Sequence, residues 1–362
     1  MATVDVMRSL RARMPWAVAR RLLKSEGLDR ARGWNRTLAR AADGDDQYDH
    51  KEDELQDALE EHIMCGEKLV QLFELEEEKI AALRATALAL DVPESPFSGA
   101  YPILLTEEQL AEHQGAAPVL AAVVNYHEGV AVVLASTRYL QTRETVVVAE
   151  LTDEAAGELA GFNELIGVRH QRLEALDVLW IPEDGRYVEL RVDYPFGMHQ
   201  RHGKIALNQA RGRFDDILGS NLELSHVNLF PAIQSLYEAQ GDGAMVELGF
   251  MVAGASQKLE KSRRGGQCCR EEAYHLGGIG VLDAPIQVYR TSVLWHVELS
   301  EDASSAPEIS IRGNSSHTAE QNPFIGEMVV RNSARFLDYD HVRDRILEHL
   351  VSDDEDDEDE EL

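Results

Sequence analysis

The spacing of apolar residues changes period at Asp91–Gly99, a segment holding Pro93 and Pro96, and no other feature limits the fold so strongly. Before it, apolar side chains recur every three to four residues. After it they come in short β-branched runs. In the segment 51–92, Leu55, Leu59, Ile63, Val70, Phe73, Ile80, Leu83 and Leu88 keep helical spacing with one gap near Gly66, which predicts a long amphipathic helix. Ile103–Leu105, Val119–Asn125, Val130–Ser136 and Thr145–Leu151 read as strands, with a hairpin turn at Tyr126–Gly129. Asp177–Ile181 and Tyr187–Val192 flank a second hairpin turn at Asp184-Gly185. Helical patterns cover Asp153–Ile166, Lys204–Leu218, Leu229–Ala239 and Arg335–Leu350. Met245–Val252, Pro285–Leu299 and Ala306–Ile311 are strand-like. Grouped strands and grouped helices predict an α+β fold. Its parts are a small helical head (1–41), the long helix (51–92), a mixed body with antiparallel strand pairs in two subdomains (98–220 and 225–350), and a disordered acidic tail (352–362).

Charge is segregated along the same chain. Across 362 residues, 65 acids outweigh 35 Lys and Arg, a formal net charge of −30. Residues 1–40 run the other way, with ten Lys or Arg against three acids, and nine consecutive acids fill Asp353–Glu361. A basic head on an acidic body predicts a local contact with an anionic partner, nucleic acid first. Arg20, Arg21, Lys24, Arg30, Arg32 and Arg36 would neutralise phosphates, and Trp34 would stack on a base or fill a small core. The helix–break–helix rhythm of Arg20–Ala41 resembles the short SAP-like units of some DNA-binding proteins. The tail would compete with nucleic acid for the head, making it autoinhibitory. A second basic stretch, Gln257–Arg270, carries Lys258, Lys261, Arg263 and Arg264 around Gly265-Gly266 and would approach phosphate, although it lacks P-loop spacing. Its basic setting would also lower the thiol pKa of Cys268 or Cys269.

No hydrolase, zincin, dinucleotide or P-loop motif occurs. One catalytic alternative rests on Asp177 and Glu189-Leu190-Arg191, on two strands joined by a tight turn. That layout resembles the PD-(D/E)xK nucleases, which implies Mg²⁺ on Asp177 and Glu189, with Arg191 where those enzymes usually carry Lys. Alternation over Tyr187–Asp193 places Glu189, Arg191 and Asp193 on one strand face. His199 and His202 are spaced to share a metal on a helix, but no further ligand stands at suitable spacing. Three cysteines give no disulfide framework, and no apolar run approaches the ~20 residues that span a bilayer. These features predict a cytoplasmic, non-enzymatic adaptor without cofactor. It would face nucleic acid through the head, with the helix over 51–90 available to a protein partner. The Ala, Arg, Gly and Asp usage leans towards a GC-rich genome; membership of a bacterial multiprotein system is an expectation with no motif behind it.

Overall fold

The computed structural model describes residues 3–28, 32–115, 117–126, 128–145, 157–159, 161, 165–253, 256–262 and 267–351. The tail 352–362, most of the helix expected over Asp153–Ile166, and most of the strand expected at Thr145–Leu151 lie outside these residues, as do Arg30, Arg263 and Arg264. The fold is α+β.

Three short helices open the chain: α1 (Thr3–Arg13), α2 (Trp16–Ser25) and α3 (Trp34–Ala42). Their apolar sides (Val6, Met7, Leu10, Val18, Leu22 and Leu23) join one buried core with Leu55, Leu59 and Ile63 of α4 (Glu52–Cys65). The long helix expected over 51–92 is not formed. It is α4, then strand β1 (Lys68–Glu74), then α5 (Glu77–Leu88). The reason is burial on both sides of β1. Val70 and Leu72 enter one core and Leu69 and Phe73 the core across the sheet. A strand buried on both faces reads as a nearly continuous apolar run, which helical spacing also fits. Gly66 stands at the C-cap of α4 and leaves no room for a side chain: a Cβ there would stand 2.7 Å from His62 Nε2 and 2.8 Å from the His62 carbonyl oxygen. The partner face expected on helix 51–90 is therefore spent inside the chain: Leu55, Leu59, Ile63, Ile80 and Leu83 are all buried.

Two short helices, α6 (Pro96–Ala100) and α7 (Glu107–Glu112), follow, and no strand forms at Ile103–Leu105. Then come β2 (Val119–Tyr126), β3 (Gly129–Thr145), β4 (Ile166–Pro182) and β5 (Tyr187–Asp193). Helices α8 (Gln200–Leu218) and α9 (Phe230–Glu238) precede β6 (Ala244–Met251), β7 (Gln257–Lys261) and α10 (Ala273–Ile279). The chain closes with β8 (Gln287–Leu294), a small hairpin of β9 (Val297–Ser300) and β10 (Ala303–Ser305), β11 (Glu308–Arg312), β12 (Met328–Arg331) and α11 (Phe336–Val351).

Among the described residues, ten strands form one sheet in the order β2-β3-β4-β5-β1-β12-β11-β8-β6-β7. Each pairing is antiparallel. The sheet runs through both body segments, with β1 from the 51–92 segment at its middle. One face carries the head and α4 over β3 and β4, and α9 and α11 over β1, β12, β11 and β8. The opposite face carries α5 and α8 over β3, β4, β5 and β1. Further along that opposite face the side chains are polar, with Ser292 and Ser310 buried. Ser292 and Ser310 share a hydrogen bond there, and Arg290 stands directly across from Arg312 in the β8–β11 register.

Gly66→Ala should destabilise the protein by about 1–3 kcal/mol, because the new methyl overpacks against both the His62 ring and its backbone. Urea denaturation followed by circular dichroism measures this. An unchanged midpoint would mean that the position has no need of glycine.

Candidate functional site

Strands β4 and β5 part after the Val178–Arg191 pair, and two carboxylates fill the fork. Asp193 accepts from the Arg13 guanidinium at 2.9 and 2.7 Å, from Lys68 Nζ at 2.6 Å and from the Leu176 amide at 2.7 Å. Asp177 accepts from the Asp193 amide at 3.1 Å and pairs with Arg138. Burial alone raises the Asp193 carboxyl, but Arg13 and Lys68 overcome this and hold it well below the usual carboxylate range. Burial pulls Lys68 down to about 8 despite Asp193. Burial, then Arg13 and Lys68, drive His62 down to about 3, so its ring is neutral. Glu174, also buried, accepts from the Leu105 amide at 2.7 Å. Burial pushes its carboxyl up to about 7 against the Leu105 amide and Arg13. A cavity of about 310 Å³ adjoins these groups. Every Asp193 lone pair facing the fork already has a donor, so the network holds the fold rather than offering a base or nucleophile.

Glu189 stands elsewhere. Its register partner is Trp180, so alternation sets it on the head-side face while Asp177 leaves β4 on the other. It accepts from Arg191 Nε at 3.0 Å and Tyr339 Oη at 2.7 Å, and the Arg343 guanidinium lies 3.6 Å away. Arg191 is fully buried, with its guanidinium carbon 4.1 Å from the Tyr339 ring centroid and 5.2 Å from that of Trp180. The expected nuclease arrangement is thus not assembled: the two carboxylates face apart, each is matched to its own arginine, and Arg191 is an aromatic-stacked core cation. Among the described residues, no three His, Cys, Asp or Glu side chains are placed to hold one metal ion. His199 instead caps α8, its Nδ1 accepting from the Arg201 amide at 3.2 Å.

The head keeps part of its expected surface. Arg20, Arg32 and Arg36 are exposed, as is Arg11 on α1, and among the described residues none of them forms an ion pair. Arg21 is half-buried, and burial followed by Arg20 lowers its pKa. Lys24 is spent on the Asp302 carbonyl. Trp34 is not a free stacking platform: its Nε1 donates to the Met14 carbonyl at 3.0 Å and its ring meets Trp16 edge-on at 5.6 Å.

The second basic stretch stands apart from the head. Lys258 and Lys261 lie on β7, at the far edge of the sheet from β3 and β4. Lys258 is exposed, and Lys261 pairs with Glu247 at 3.0 Å. Next to them, burial pushes the Cys269 thiol up to about 11, the reverse of the activation expected from a basic loop. Sequence reasoning missed Arg13, Lys68, Arg138 and Glu174, whose partners lie between 39 and 180 residues away. It also missed the facing pair Arg290 and Arg312. No protein family, curated protein or solved structure matches the chain.

Two measurements test the fork. Asp193→Ala leaves Arg13 and Lys68 without their shared carboxylate and should cost about 3–5 kcal/mol in denaturant unfolding. Glu174 titrates in the opposite sense to Asp193. Its raised folded-state pKa gives stability that is present at low pH and lost as pH rises through about 7. Glu174→Gln keeps an acceptor for the Leu105 amide. It should therefore gain stability over wild type as pH rises from about 5 to about 8. A constant difference across that range would show that Glu174 does not titrate there.

Proposed function

We propose that this chain is a non-enzymatic binding protein whose N-terminal helices contact nucleic-acid phosphates. One observation carries the reading. Arg11, Arg20, Arg32 and Arg36 stay exposed without an ion pair among the described residues, in a chain holding 65 acids against 35 Lys and Arg. With acids in such excess, exposed cations ordinarily find a carboxylate, so an unmatched set on and beside three adjoining helices favours an anion from outside. The apolar sides of these helices are buried, which fixes the cations on a rigid platform. The acidic tail, placed at the other end of the chain, acts as an intramolecular competitor for the same cations.

Fluorescence anisotropy with labelled duplex and single-stranded oligonucleotides, at low and moderate salt, tests this. Binding should weaken steeply with salt. Replacing Arg11, Arg20, Arg32 and Arg36 by Ala should reduce the magnitude of the log–log salt slope by about 3–4, at roughly 0.9 for each phosphate no longer neutralised. A chain ending at Val351 should bind more tightly. Absence of binding by both chains at low salt would remove the reading, and metal-dependent cleavage of the probe would reopen the enzymatic one.

A further inference from the structure

A second cationic site lies across the sheet from the head. Its floor is the β8–β11 pair Arg290 and Arg312, directly opposite in register and on the same face as Val329 and α8. One wall is the start of α8, with Arg201, Lys204 and Ile205. The other is the segment between β11 and β12, with His317, Phe324 and Ile325. Together they form an open cavity of about 570 Å³ lined by four cationic side chains, Arg201, Lys204, Arg290 and Arg312, and by a single acid, Glu327. That volume suits a small organic ligand and far exceeds a bare inorganic anion.

The charges here are only partly matched. Arg290 pairs with Glu247, which also serves Lys261, and Lys204 pairs with Glu327. Arg201 and Arg312 form no ion pair among the described residues, and the half-buried Arg312 keeps a buried Nε with no hydrogen-bond partner. Like charges directly opposite each other on neighbouring strands destabilise a sheet. Burial first, then Arg290 and Arg331, lower the Arg312 pKa against Glu247. In a chain of net charge −30, a facing pair of arginines with one left unsatisfied needs a reason. Beside it stand Phe324, about half exposed, and the apolar side chains Ile205 and Ile325.

We propose that this cavity binds a phosphate ester carrying a planar or apolar group, specifically a nucleoside phosphate, with Arg290, Arg312 and Arg201 on the phosphate and Phe324 against the base. A phosphate monoester carries up to two negative charges and suits the guanidinium fork. An aromatic face gives the base a stacking surface. The same chemistry is offered by a free mononucleotide and by the phosphorylated end of a nucleic-acid strand. The site shares no residue with the head and does not depend on the function proposed for it.

The experiment is isothermal titration of the full chain with AMP, ATP, adenosine, inorganic phosphate, and a short oligonucleotide with and without a 5′-phosphate. AMP or ATP should bind at least ten-fold more tightly than adenosine or inorganic phosphate. Arg312→Gln should weaken that binding at least ten-fold while holding or raising Tm, since it removes a like-charge contact; a structural arginine would lower Tm instead. Arg201→Gln, at an exposed position, gives a second variant should Arg312→Gln fail to fold, and should also weaken nucleotide binding. The head variant lacking Arg11, Arg20, Arg32 and Arg36 should bind AMP as wild type does, so failure at the head and failure here read out separately. In that head variant, tighter binding of the 5′-phosphorylated oligonucleotide than of the unphosphorylated one identifies a strand end as the source; equal binding of the two identifies the free nucleotide. The proposal is overturned if no phosphate ester saturates at millimolar concentration, if inorganic phosphate binds as well as AMP, or if neither variant weakens binding.

Discussion

The Asp193 carboxylate is the interaction on which the rest of the architecture depends. It joins α1 through Arg13, β1 through Lys68 and β4 through the Leu176 amide, at the point where β4 leaves β5. Desolvating one carboxylate is unfavourable; desolvating it between two cations and a backbone amide is tolerable, because each group satisfies the others. The consequence reaches beyond the fork. Arg13 sits at the end of the first helix, so the N-terminal helices are built into the body through a buried ion pair as well as through Val6, Leu10 and Leu22. The exposed arginines of those helices are therefore held at a fixed position on the sheet.

A second buried charge group organises the C-terminal end on the same sheet face. Arg191 lies among Trp180, Phe336 and Tyr339, while Glu189 takes hydrogen bonds from both Arg191 and Tyr339. This locks α11 over the sheet, and Arg335 at its start reaches Glu61 of α4 at 2.7 Å. Both hubs pair a buried carboxylate with an arginine, Arg13 on Asp193 and Arg191 on Glu189. That choice suits residues with no route to deprotonation, since a planar guanidinium can bond a carboxylate and stack on a ring at once.

Much of this was legible in the sequence where the signal was local. The Asp184-Gly185 turn, the helix at the C-terminus and the face shared by Glu189, Arg191 and Asp193 follow from spacing over a few residues. The α+β class followed from the grouping of strand-like and helical runs along the chain. What was not legible depends on distant contacts. Leu69–Phe73 fits a helix or a doubly buried strand equally well, and only the presence of cores on both sides decides. Nothing in the sequence separates Arg13 from the nine other bases around it, because its partner is 180 residues away. Asp177 and Glu189 look like a catalytic pair when read as adjacent strands, but they belong to opposite faces. Arg290 and Arg312 become neighbours only through strand pairing.

The acid excess then shapes what each cationic surface can hold. A net charge of −30 creates a field that repels a long polyanion from most of the molecule, so nucleic acid can approach only where cations cluster locally. The head meets that condition because the exposed Arg11, Arg20, Arg32 and Arg36 lie on or beside its three consecutive helices. The cavity beneath α8 does not meet it for a continuous strand. Glu247 and Glu327 pair with its cations, and Glu308 stands opposite Leu294 on the same strand pair. A polynucleotide laid across it would bring successive phosphates against these carboxylates. A single terminal or free phosphate can sit on Arg201, Arg290 and Arg312 with Glu327 as the one acid lining the cavity, and the surrounding acids would then select for a compact ligand by repelling an extended one.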